Sequence, residues 1–212
     1  MSVVRFMVAV SIDGYLAGPD QSLDDPLGIG GEDLHTWLTE LEVWRRSEGE
    51  QGGVTNASSR VVEEAQAGVG AYLMGRNMFG GGRGPWRDDW RGWWGDDPPY
   101  HVPVFVLTHH EREPLEMDGG TTFHFVTDGI EAALDRARRA AGDRDIVIGG
   151  GAAVIQQYLR AGHVDRFVLN VVPIVLGAGE RLLENVGELR LEQARAIEAP
   201  GVTHITYRVI TT

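Results

Sequence analysis

The chain has 212 residues and a mass of 23.2 kDa, and 42% of its residues are hydrophobic, which predicts a single domain over 1–212 and excludes a wholly disordered protein. The sequence has no cysteine and a formal net charge of −12, which excludes disulfides and cysteine–zinc sites and argues against nonspecific binding of nucleic acid. It shows no secretion signal and no apolar run of the ~20 residues that a membrane span needs, so we expect a cytoplasmic protein without a membrane partner.

The first part of the chain predicts two strands with helical segments between them. Residues 3–10 are β-branched and apolar, as in a buried strand, and apolar residues spaced three and four apart predict an amphipathic helix over 33–46. The predicted elements are, in chain order, a strand over 3–10, a loop over 11–20, a helix over 33–46, a loop over 48–54, a helix from Asn56 or Ser58 to about Ala67, and a strand over 71–74.

The segment from about 80 to 103 differs in composition from the rest of the chain. It begins with a glycine run, holds four tryptophans within nine residues (Trp86, Trp90, Trp93 and Trp94) and ends near two prolines, which indicates a long loop. This Trp-rich segment can serve as a lid that stacks on a flat heterocycle. Alternatively, its tryptophans cover a satellite core or a subunit interface.

The second half of the chain alternates strands with helices until its last quarter. The predicted elements are strands over 104–107 and 121–126, a helix over 129–141, a strand over 145–148, a helix over 152–161, a strand over 165–172, and an antiparallel pair over 189–197 and 202–210 that turns at Ala199-Pro200-Gly201. This order predicts an α/β fold, a three-layer sandwich with a central, mostly parallel mixed sheet and a C-terminal antiparallel strand pair.

Three predicted strands end in residues that suit an anionic ligand. One runs into the triplet Gly149-Gly150-Gly151 and then directly into a helix, where free N–H groups and the helix dipole attract phosphate; the alternative is a tight strand-to-helix turn. Arg76 follows a second strand, where the alternative is an ordinary surface arginine. Thr108 and His109 follow a third, where the alternative is a polar loop. Because ligands of α/β proteins bind at the carboxyl ends of strands, the three ends together favour a phosphate-bearing ligand.

Five segments occur in an order and spacing that identify a family. They are 8–17 (VAVSIDGYLA), 74–79 (MGRNMF), 104–108 (VFVLT), 148–151 (IGGG) and 171–179 (VVPIVLGAG). On these segments the chain resembles the dihydrofolate reductase-like family, in its bacterial branch related to the reductase domain of the riboflavin biosynthesis deaminase-reductase. The resemblance covers nearly the whole chain.

The resemblance implies NADPH as the cofactor, hydride transfer as the chemistry and a homodimer as the assembly. By the family pattern, Gly149, Gly150, Gly151 and Ala152 would take the pyrophosphate, with Gly75, Arg76 and Asn77 beside it and Arg76 toward the 2′-phosphate; Leu107, Thr108 and His109 would flank the adenosine; and Ala9, Ile12, Gly14 and Leu16 would cover the nicotinamide. The family pattern also implies a cis peptide bond between Gly149 and Gly150.

Asp13 is the residue that we expect to act in catalysis. It lies on the loop that would face the nicotinamide, where a carboxylate can orient a substrate amine or relay a proton; the alternative is an Asx-turn residue before Gly14. The carboxylate that holds the pterin in dihydrofolate reductases has no placed counterpart, and Asp33 and Glu40 are the candidates. The histidines show no ligand spacing, so we predict no metal site.

We therefore predict an NADPH-dependent reductase of a small pterin- or pyrimidine-like heterocycle. The alternative is a noncatalytic protein that binds NADPH or an aromatic ligand on the same fold, because the sequence places no carboxylate for the substrate. Ile205, Tyr207 and Val209 share one face of the last predicted strand and can pair across a dimer.

Overall fold

The computed structural model of the protein describes residues 2–82, 84–87 and 89–210. The chain divides into two compact units: unit 1 comprises residues 1–6 and 68–164, and unit 2 comprises 7–67 and 165–212. Two positions of the Trp-rich segment, Arg83 and Asp88, lie outside the described residues. No helix in the described ranges is long and apolar enough to cross a lipid bilayer.

The strands and helices follow one another along the whole chain. The strands are β1 (Val4–Ser11), β2 (Tyr15–Ala17), β3 (Val69–Gly75), β4 (Pro103–Leu107), β5 (Leu115–Glu116), β6 (Thr122–Val126), β7 (Asp145–Gly150), β8 (Arg166–Val172), β9 (Glu180–Arg181), β10 (Leu191–Ala199) and β11 (Val202–Val209). The α-helices are α1 (Thr36–Thr39), α2 (Glu42–Ser47), α3 (Ala57–Gln66), α4 (Arg76–Phe79), α5 (Gly129–Ala141) and α6 (Ala152–Arg160), and 3₁₀ helices span Gly31–His35 and Asp118–Gly120.

Unit 1 is built on a mostly parallel sheet with the strand order β1-β7-β3-β4-β6-β5, to which β1 contributes its first residues. The pairs from β1 to β6 are parallel, and β5 is antiparallel to β6. Helix α5 packs against β3 and β4, and α6 packs against β7 and β3. Because β7, β3 and β4 are parallel neighbours, their carboxyl ends lie side by side at one edge of this sheet.

Unit 2 contains the C-terminal strand pair. The strand order is β10-β11-β8-β1, in which β10 is antiparallel to β11 and β11 to β8, and helix α3 packs against β10. The predicted α/β fold with a late antiparallel pair is confirmed. A small pair that the sequence did not predict joins β2 to β9 antiparallel, so part of the loop predicted over 11–20 is a strand.

The helix predicted over 33–46 is wrong as one continuous element. The chain instead forms a 3₁₀ helix, α1 and α2, and it is extended at Leu41, where ψ is 139°. Leu41 forms a parallel bridge with Val54; the Glu42 N–H donates to the Val54 carbonyl (3.0 Å) and the Val54 N–H donates to the Glu40 carbonyl (2.9 Å). These long-range bonds replace helical ones, so local periodicity alone could not reveal the break.

The apolar face predicted for that helix is nevertheless the buried one. Leu34, Trp37 and Leu41 belong to one core cluster of unit 2, and Leu38 and Trp44 pack against it. The next predicted helix is confirmed as α3, with Asn56 as its N-cap: the Asn56 side chain accepts the Ser58 N–H at 2.8 Å. The predicted apolar residues are therefore buried although the helix is interrupted at Leu41.

The Trp-rich segment is packed onto the core of unit 1. Trp86, Trp90 and Trp94 lie against a buried cluster of seven residues, Met74, Phe79, Val104, Val106, Met117, Phe123 and Phe125. Trp86 makes edge contacts with Phe79 and Phe125, with ring centroids 5.7 and 4.8 Å apart. The indole N–H of Trp86 also donates to the His110 carbonyl at 2.9 Å. These contacts support the alternative in which the tryptophans cover a satellite core.

Candidate functional site

The glycine triplet occupies the end of β7 in unit 1. The sequence prediction placed a cis peptide bond at Gly149–Gly150, but that position is wrong, because the cis bond joins Gly150 to Gly151. Strand β7 continues through Gly150, which pairs with Met74 of β3. The strand thus ends two residues later than the stretch 145–148 predicted from the sequence.

The glycines of this strand end differ in the space around them. A Cβ added at Gly75 would lie 2.8 Å from a methyl group of Val154, so the absence of a side chain there lets β3 approach helix α6 closely. A Cβ at Gly149 would lie 3.2 Å from the terminal methyl of Met78. At Gly151, by contrast, no described atom outside the two neighbouring residues of the chain lies within 4 Å of the added Cβ. Gly151 thus borders open space.

Helix α6 begins beside that open space. Gly151 is its N-cap residue, with φ −81° and ψ −163°, and in the described part of the chain no side chain caps the helix there. Val154 and Ile155 donate their N–H groups to the Gly151 carbonyl at 3.1 and 3.2 Å. The first turn of a helix carries N–H groups that need an external acceptor, and an anion in the open space at Gly151 can provide one.

Arg76 follows β3, the parallel neighbour of β7, and its side chain stacks on a tryptophan. Its guanidinium carbon lies 3.3 Å from the centroid of the Trp86 indole, and its Nε donates to the Gly80 carbonyl at 3.3 Å. Both Nη atoms are out of contact with solvent and have no hydrogen-bond partner among the residues described. Burial, and next the charge of Arg112, lower the pKa of Arg76. A cation in this state attracts an anion.

The loop after β4 is held together by its own hydrogen bonds. The Thr108 hydroxyl accepts the His110 N–H at 3.1 Å, and the Thr108 N–H donates to the Val126 carbonyl at 3.1 Å. Thr108 is buried, while His109 is exposed and Leu107 half-buried. On the neighbouring strand, Asn77 is exposed. Unit 1 therefore brings together the predicted residues that end β7, β3 and β4.

Asp13 lies in unit 2, on the turn between β1 and β2. Its Oδ1 accepts the Ser11 hydroxyl at 2.6 Å and the Leu176 N–H at 3.2 Å, and its Oδ2 accepts the Gly177 N–H at 2.7 Å. The Ser11 hydroxyl, followed by these N–H groups, lowers the pKa of Asp13. These hydrogen bonds favour the charged form of the Asp13 carboxyl group.

The turn around Asp13 is organised by Ser11. The Ser11 hydroxyl oxygen accepts the Tyr15 N–H at 3.0 Å, and the Gly14 N–H donates to the Ser11 carbonyl at 2.9 Å. The local turn bonds thus go to the serine, whereas the Asp13 carboxylate reaches the loop at 176–177. Arg181 adds a bond from its Nη1 to the Asp13 carbonyl at 3.1 Å. Asp13 ties two loops of unit 2 together, and its predicted catalytic role stays a prediction.

The other predicted residues of unit 2 differ in accessibility. Ala9 is buried in the core cluster of that unit, Leu16 is half-buried, and Ile12 is 64% exposed. The candidate carboxylates Asp33 and Glu40 are both exposed. In this group Ile12 offers the apolar surface that a flat ring can contact.

Unit 2 contains a small cavity that is too small to be the predicted cofactor site. It has a volume of about 110 Å³ and is lined by Val10, Gly14, Leu169, Arg181, Leu182 and Leu183. Pockets for small-molecule ligands usually measure roughly 300–1,000 Å³. Of its lining, Gly14 alone is among the residues predicted to contact the cofactor. In the described ranges no group of three or more histidine, aspartate or glutamate side chains could hold a metal ion.

A buried trio of polar side chains in unit 2 was missed by the sequence analysis. His204 Nδ1 lies 2.7 Å from Asn170 Oδ1, and His204 Nε2 lies 2.9 Å from Ser58 Oγ. The order serine, histidine, amide is that of a hydrolytic triad, but Ser58, His204 and Asn170 are 1, 2 and 2% exposed. No substrate can reach the hydroxyl. The trio fastens α3 to strands β8 and β11.

Comparisons with known proteins agree with this architecture. A family model described as the RibD C-terminal domain matches residues 2–205. The uncharacterized protein YwjB of Bacillus subtilis (strain 168) is 24% identical over 196 residues, which cover 87% of this chain and 86% of YwjB.

Two solved structures have a similar fold. A protein of Shewanella sp. PV-4 that is ascribed to riboflavin biosynthesis superposes with a TM-score of 0.60 at 23% identity, covering 99% of both chains. The dihydrofolate reductase of Enterococcus faecalis superposes with a TM-score of 0.53 at 14% identity, covering 98% of this chain and 96% of the reductase. At these identities the likeness concerns the fold, which is that of dihydrofolate reductase.

Proposed function

The chain belongs to the RibD C-terminal domain family, and from that premise we propose that it is an NADPH-dependent reductase of a small pterin- or pyrimidine-like heterocycle. The fold is of the reductase type, and the similar structure from Enterococcus faecalis is complexed with NADP(H). The observation that carries the proposal is the open space at Gly151, at the uncapped start of helix α6. The proposal also requires that the residues at the ends of β3 and β4 can bind this cofactor.

The groups at the strand ends of unit 1 fit a dinucleotide. Gly151 leaves room for the pyrophosphate where a side chain would intrude, and the N–H groups of the first turn of α6 would donate to it. Arg76, with both Nη atoms unpaired among the described residues, would take the 2′-phosphate. Thr108 and His109 would lie beside the adenosine. Arg76 has unpaired donors among the described residues, Gly151 borders open space, and His109 is exposed. Thr108 differs, because its hydroxyl already forms a hydrogen bond within its loop.

In the proposed reaction the bound NADPH supplies the hydride, and the protein positions it and excludes water. Asp13 would act as an ionised acceptor, since its pKa is lowered. It would hold the turn at 11–15 against the loop at 176–177, and a proton required by the substrate would come from another group. Ala9, Ile12, Gly14 and Leu16 are proposed as the contacts of the nicotinamide.

We expect turnover to be observed as a loss of NADPH absorbance when the protein is incubated with a panel of dihydropterins and of pyrimidines that carry a phosphoribosylamino group. Reduction of at least one member supports the reductase. The second candidate, a noncatalytic NADPH-binding protein, is favoured by the bonding of Asp13 and the exposure of Asp33. Tight NADPH binding without turnover anywhere on the panel would decide for that candidate.

The substitution Gly151→Ala tests the cofactor site itself. Because the added Cβ would enter open space and φ is −81°, we expect unfolding without ligand to change little, while the affinity for NADPH falls by about tenfold or more through the lost room at the pyrophosphate. Thermal unfolding with and without NADPH measures both effects. The matched control is Gln157→Ala, at an exposed position on the same helix. An unchanged NADPH affinity in Gly151→Ala would place the pyrophosphate elsewhere.

We also propose that the protein forms a homodimer. Ile205, Tyr207 and Val209 share one face of β11, and each is only partly buried in the single chain. Apolar side chains left partly open on a sheet are suited to pairing with a second copy. The cytoplasmic location stays a prediction from the sequence.

A further inference from the structure

One tryptophan of the Trp-rich segment is more exposed than its neighbours. Trp93 is 37% exposed, whereas the other five tryptophans of the chain are half-buried or buried. We propose that the open part of the Trp93 indole is a stacking platform for the planar heterocycle that the proposed reductase reduces. This inference rests on the proposed function for the kind of ligand, although stacking can be measured without turnover.

The Trp93 ring is held in place although it is exposed. Its indole N–H donates to the Met78 carbonyl at 2.9 Å, and the Trp90 ring meets it nearly at a right angle, with the ring centroids 4.6 Å apart. A Cβ added at Gly80 would lie 2.5 Å from a ring carbon of Trp93, so the ring lies against the Gly80 backbone. Because the indole is already oriented, a ligand that stacks on it loses little further entropy in ordering it.

The platform adjoins residues of the candidate site in unit 1. The Met78 carbonyl anchors Trp93, and the Met78 sulfur lies 3.3 Å from the position of a Cβ added at Gly149. The Gly80 carbonyl, in turn, accepts the Nε–H of Arg76 at 3.3 Å. The indole is therefore separated by a single residue from the glycine triplet and by a single residue from Arg76.

An exposed indole is chemically suited to a planar nitrogen heterocycle. The face of its π-system is negative, and flat aromatic rings stack on such a face with an offset. Stacking on an aromatic side chain accepts many different bases, because every base has a π-face. Other residues are already proposed for the two rings of the cofactor: the end of β4 for the adenosine, and unit 2 for the nicotinamide. The heterocycle to be reduced is the flat ring that remains for Trp93.

The test compares four proteins: the unaltered chain, Trp93→Leu, Trp93→Phe and the control Trp94→Phe. Trp94 is half-buried and lies stacked on Phe123, with the ring centroids 5.8 Å apart, so phenylalanine at that position keeps a ring in the same packing. Each protein is titrated by calorimetry with pterin-6-carboxylate, uracil, the non-aromatic 5,6-dihydrouracil and adenosine. Thermal unfolding without ligand shows whether each variant is folded.

We expect the unaltered chain to bind pterin-6-carboxylate, and to bind uracil more tightly than 5,6-dihydrouracil, because a planar aromatic ring is needed for stacking. Trp93→Leu should lose about tenfold or more in affinity for the pterin, and Trp94→Phe should bind it normally. Trp93→Phe lacks the N–H that bonds to Met78 but keeps a ring, so it should lose less. With a substrate that is turned over, Trp93→Leu should raise KM and change kcat little, since stacking holds the ground state and the transition state alike.

The possible results separate the platform from the proposed function. Equal pterin affinity in a folded Trp93→Leu and the unaltered chain, or no binding of either planar probe by the unaltered chain, would overturn the platform whether or not NADPH is oxidised. Loss of adenosine binding in Trp93→Leu with pterin binding retained would assign Trp93 to the cofactor and also overturn the inference. Pterin binding that depends on Trp93, in a protein that oxidises no NADPH, would keep the platform and reject the reductase.

Fluorescence provides a second readout in case Trp93→Leu does not fold. Pterin-6-carboxylate stacked on Trp93 should quench part of the tryptophan emission, and Trp93→Phe should lack that part while Trp94→Phe keeps it. Equal quenching in Trp93→Phe and the unaltered chain would show that the pterin does not stack on Trp93.

Discussion

Lowering the pH from 7 to 4 is expected to reduce the free energy of unfolding by on the order of 3 kcal/mol through the single side chain of His204. Burial, and next the charge of Arg195, lower the pKa of His204 from 6.5 to about 4. The neutral ring is 2% exposed and lies between Asn170 and Ser58. It can donate from one nitrogen and accept at the other only while it is uncharged.

The sign follows from proton binding. Between pH 6.5 and 4 the unfolded chain protonates this histidine and the folded chain does not, so unfolding takes up a proton and becomes more favourable as the pH falls. The stabilisation is fully present above pH 6.5 and has been lost at about pH 4. Protonation in the folded state would also turn Nε2 from an acceptor of the Ser58 hydroxyl hydrogen into a donor.

Urea unfolding at several pH values between 7 and 4 measures this effect. The variant His204→Gln lacks the titrating ring, so its stability should be lower at pH 7 but should fall less steeply with acid than that of the unaltered chain. His109→Gln, at an exposed position, is the control for histidine content. Parallel pH dependences in His204→Gln and the unaltered chain would show that His204 does not titrate in this way.

The substitution Gly179→Ala is expected to destabilise unit 2 by about 3 kcal/mol or more. The φ angle at Gly179 is +126°, and an added Cβ would lie 2.1 Å from the carbonyl oxygen of Ala17 and 2.9 Å from the Cα of Gly18. Both neighbours are backbone atoms, which cannot rotate away as the end of a side chain can. The loop that follows β8 must therefore separate from the β2 region if a side chain is introduced.

Gly177→Ala is the matched control, two residues away in the same loop. Its φ is +75°, and no described atom outside the two neighbouring residues of the chain lies within 4 Å of the added Cβ. The substitution therefore adds the left-handed strain alone, about 1–2 kcal/mol. Urea unfolding of both variants separates strain from collision. Equal losses in the two variants would mean that the contact with Ala17 relaxes without penalty.

The helices and strands whose apolar residues repeat at a regular spacing could be predicted from the sequence. Helix α5 was predicted over 129–141 and spans Gly129–Ala141, since its apolar face repeats at the helical period and glycine follows it. The strand predicted over 145–148 continues to Gly150, because glycine can remain in a strand when the neighbouring strand supplies the hydrogen bonds. The end of a strand depends on the neighbouring strand that it pairs with, and the sequence of the strand alone does not show that neighbour.

The candidate site was predictable in its outline and not in its partners. The ends of parallel strands meet at one edge, so Arg76 and the glycine triplet could be placed together from the sequence. The contact between Arg76 and Trp86 could not be predicted, since it depends on how the Trp-rich segment packs. Likewise, His204 meets Asn170 and Ser58 at sequence separations of 34 and 146 residues. No periodicity connects residues so far apart.

The indoles of the Trp-rich segment also complete a helix end. Helix α4 stops at Phe79, and the last carbonyls of a helix have no donor within it. The Trp90 indole N–H donates to the Phe79 carbonyl at 3.0 Å, and that of Trp93 to the Met78 carbonyl at 2.9 Å, so side chains from a later stretch act as C-caps. Phenylalanine at position 90 would fill much of the same volume but would leave the Phe79 carbonyl without this donor. The indole N–H of Trp90 therefore matters to this position as well as the apolar surface of the ring.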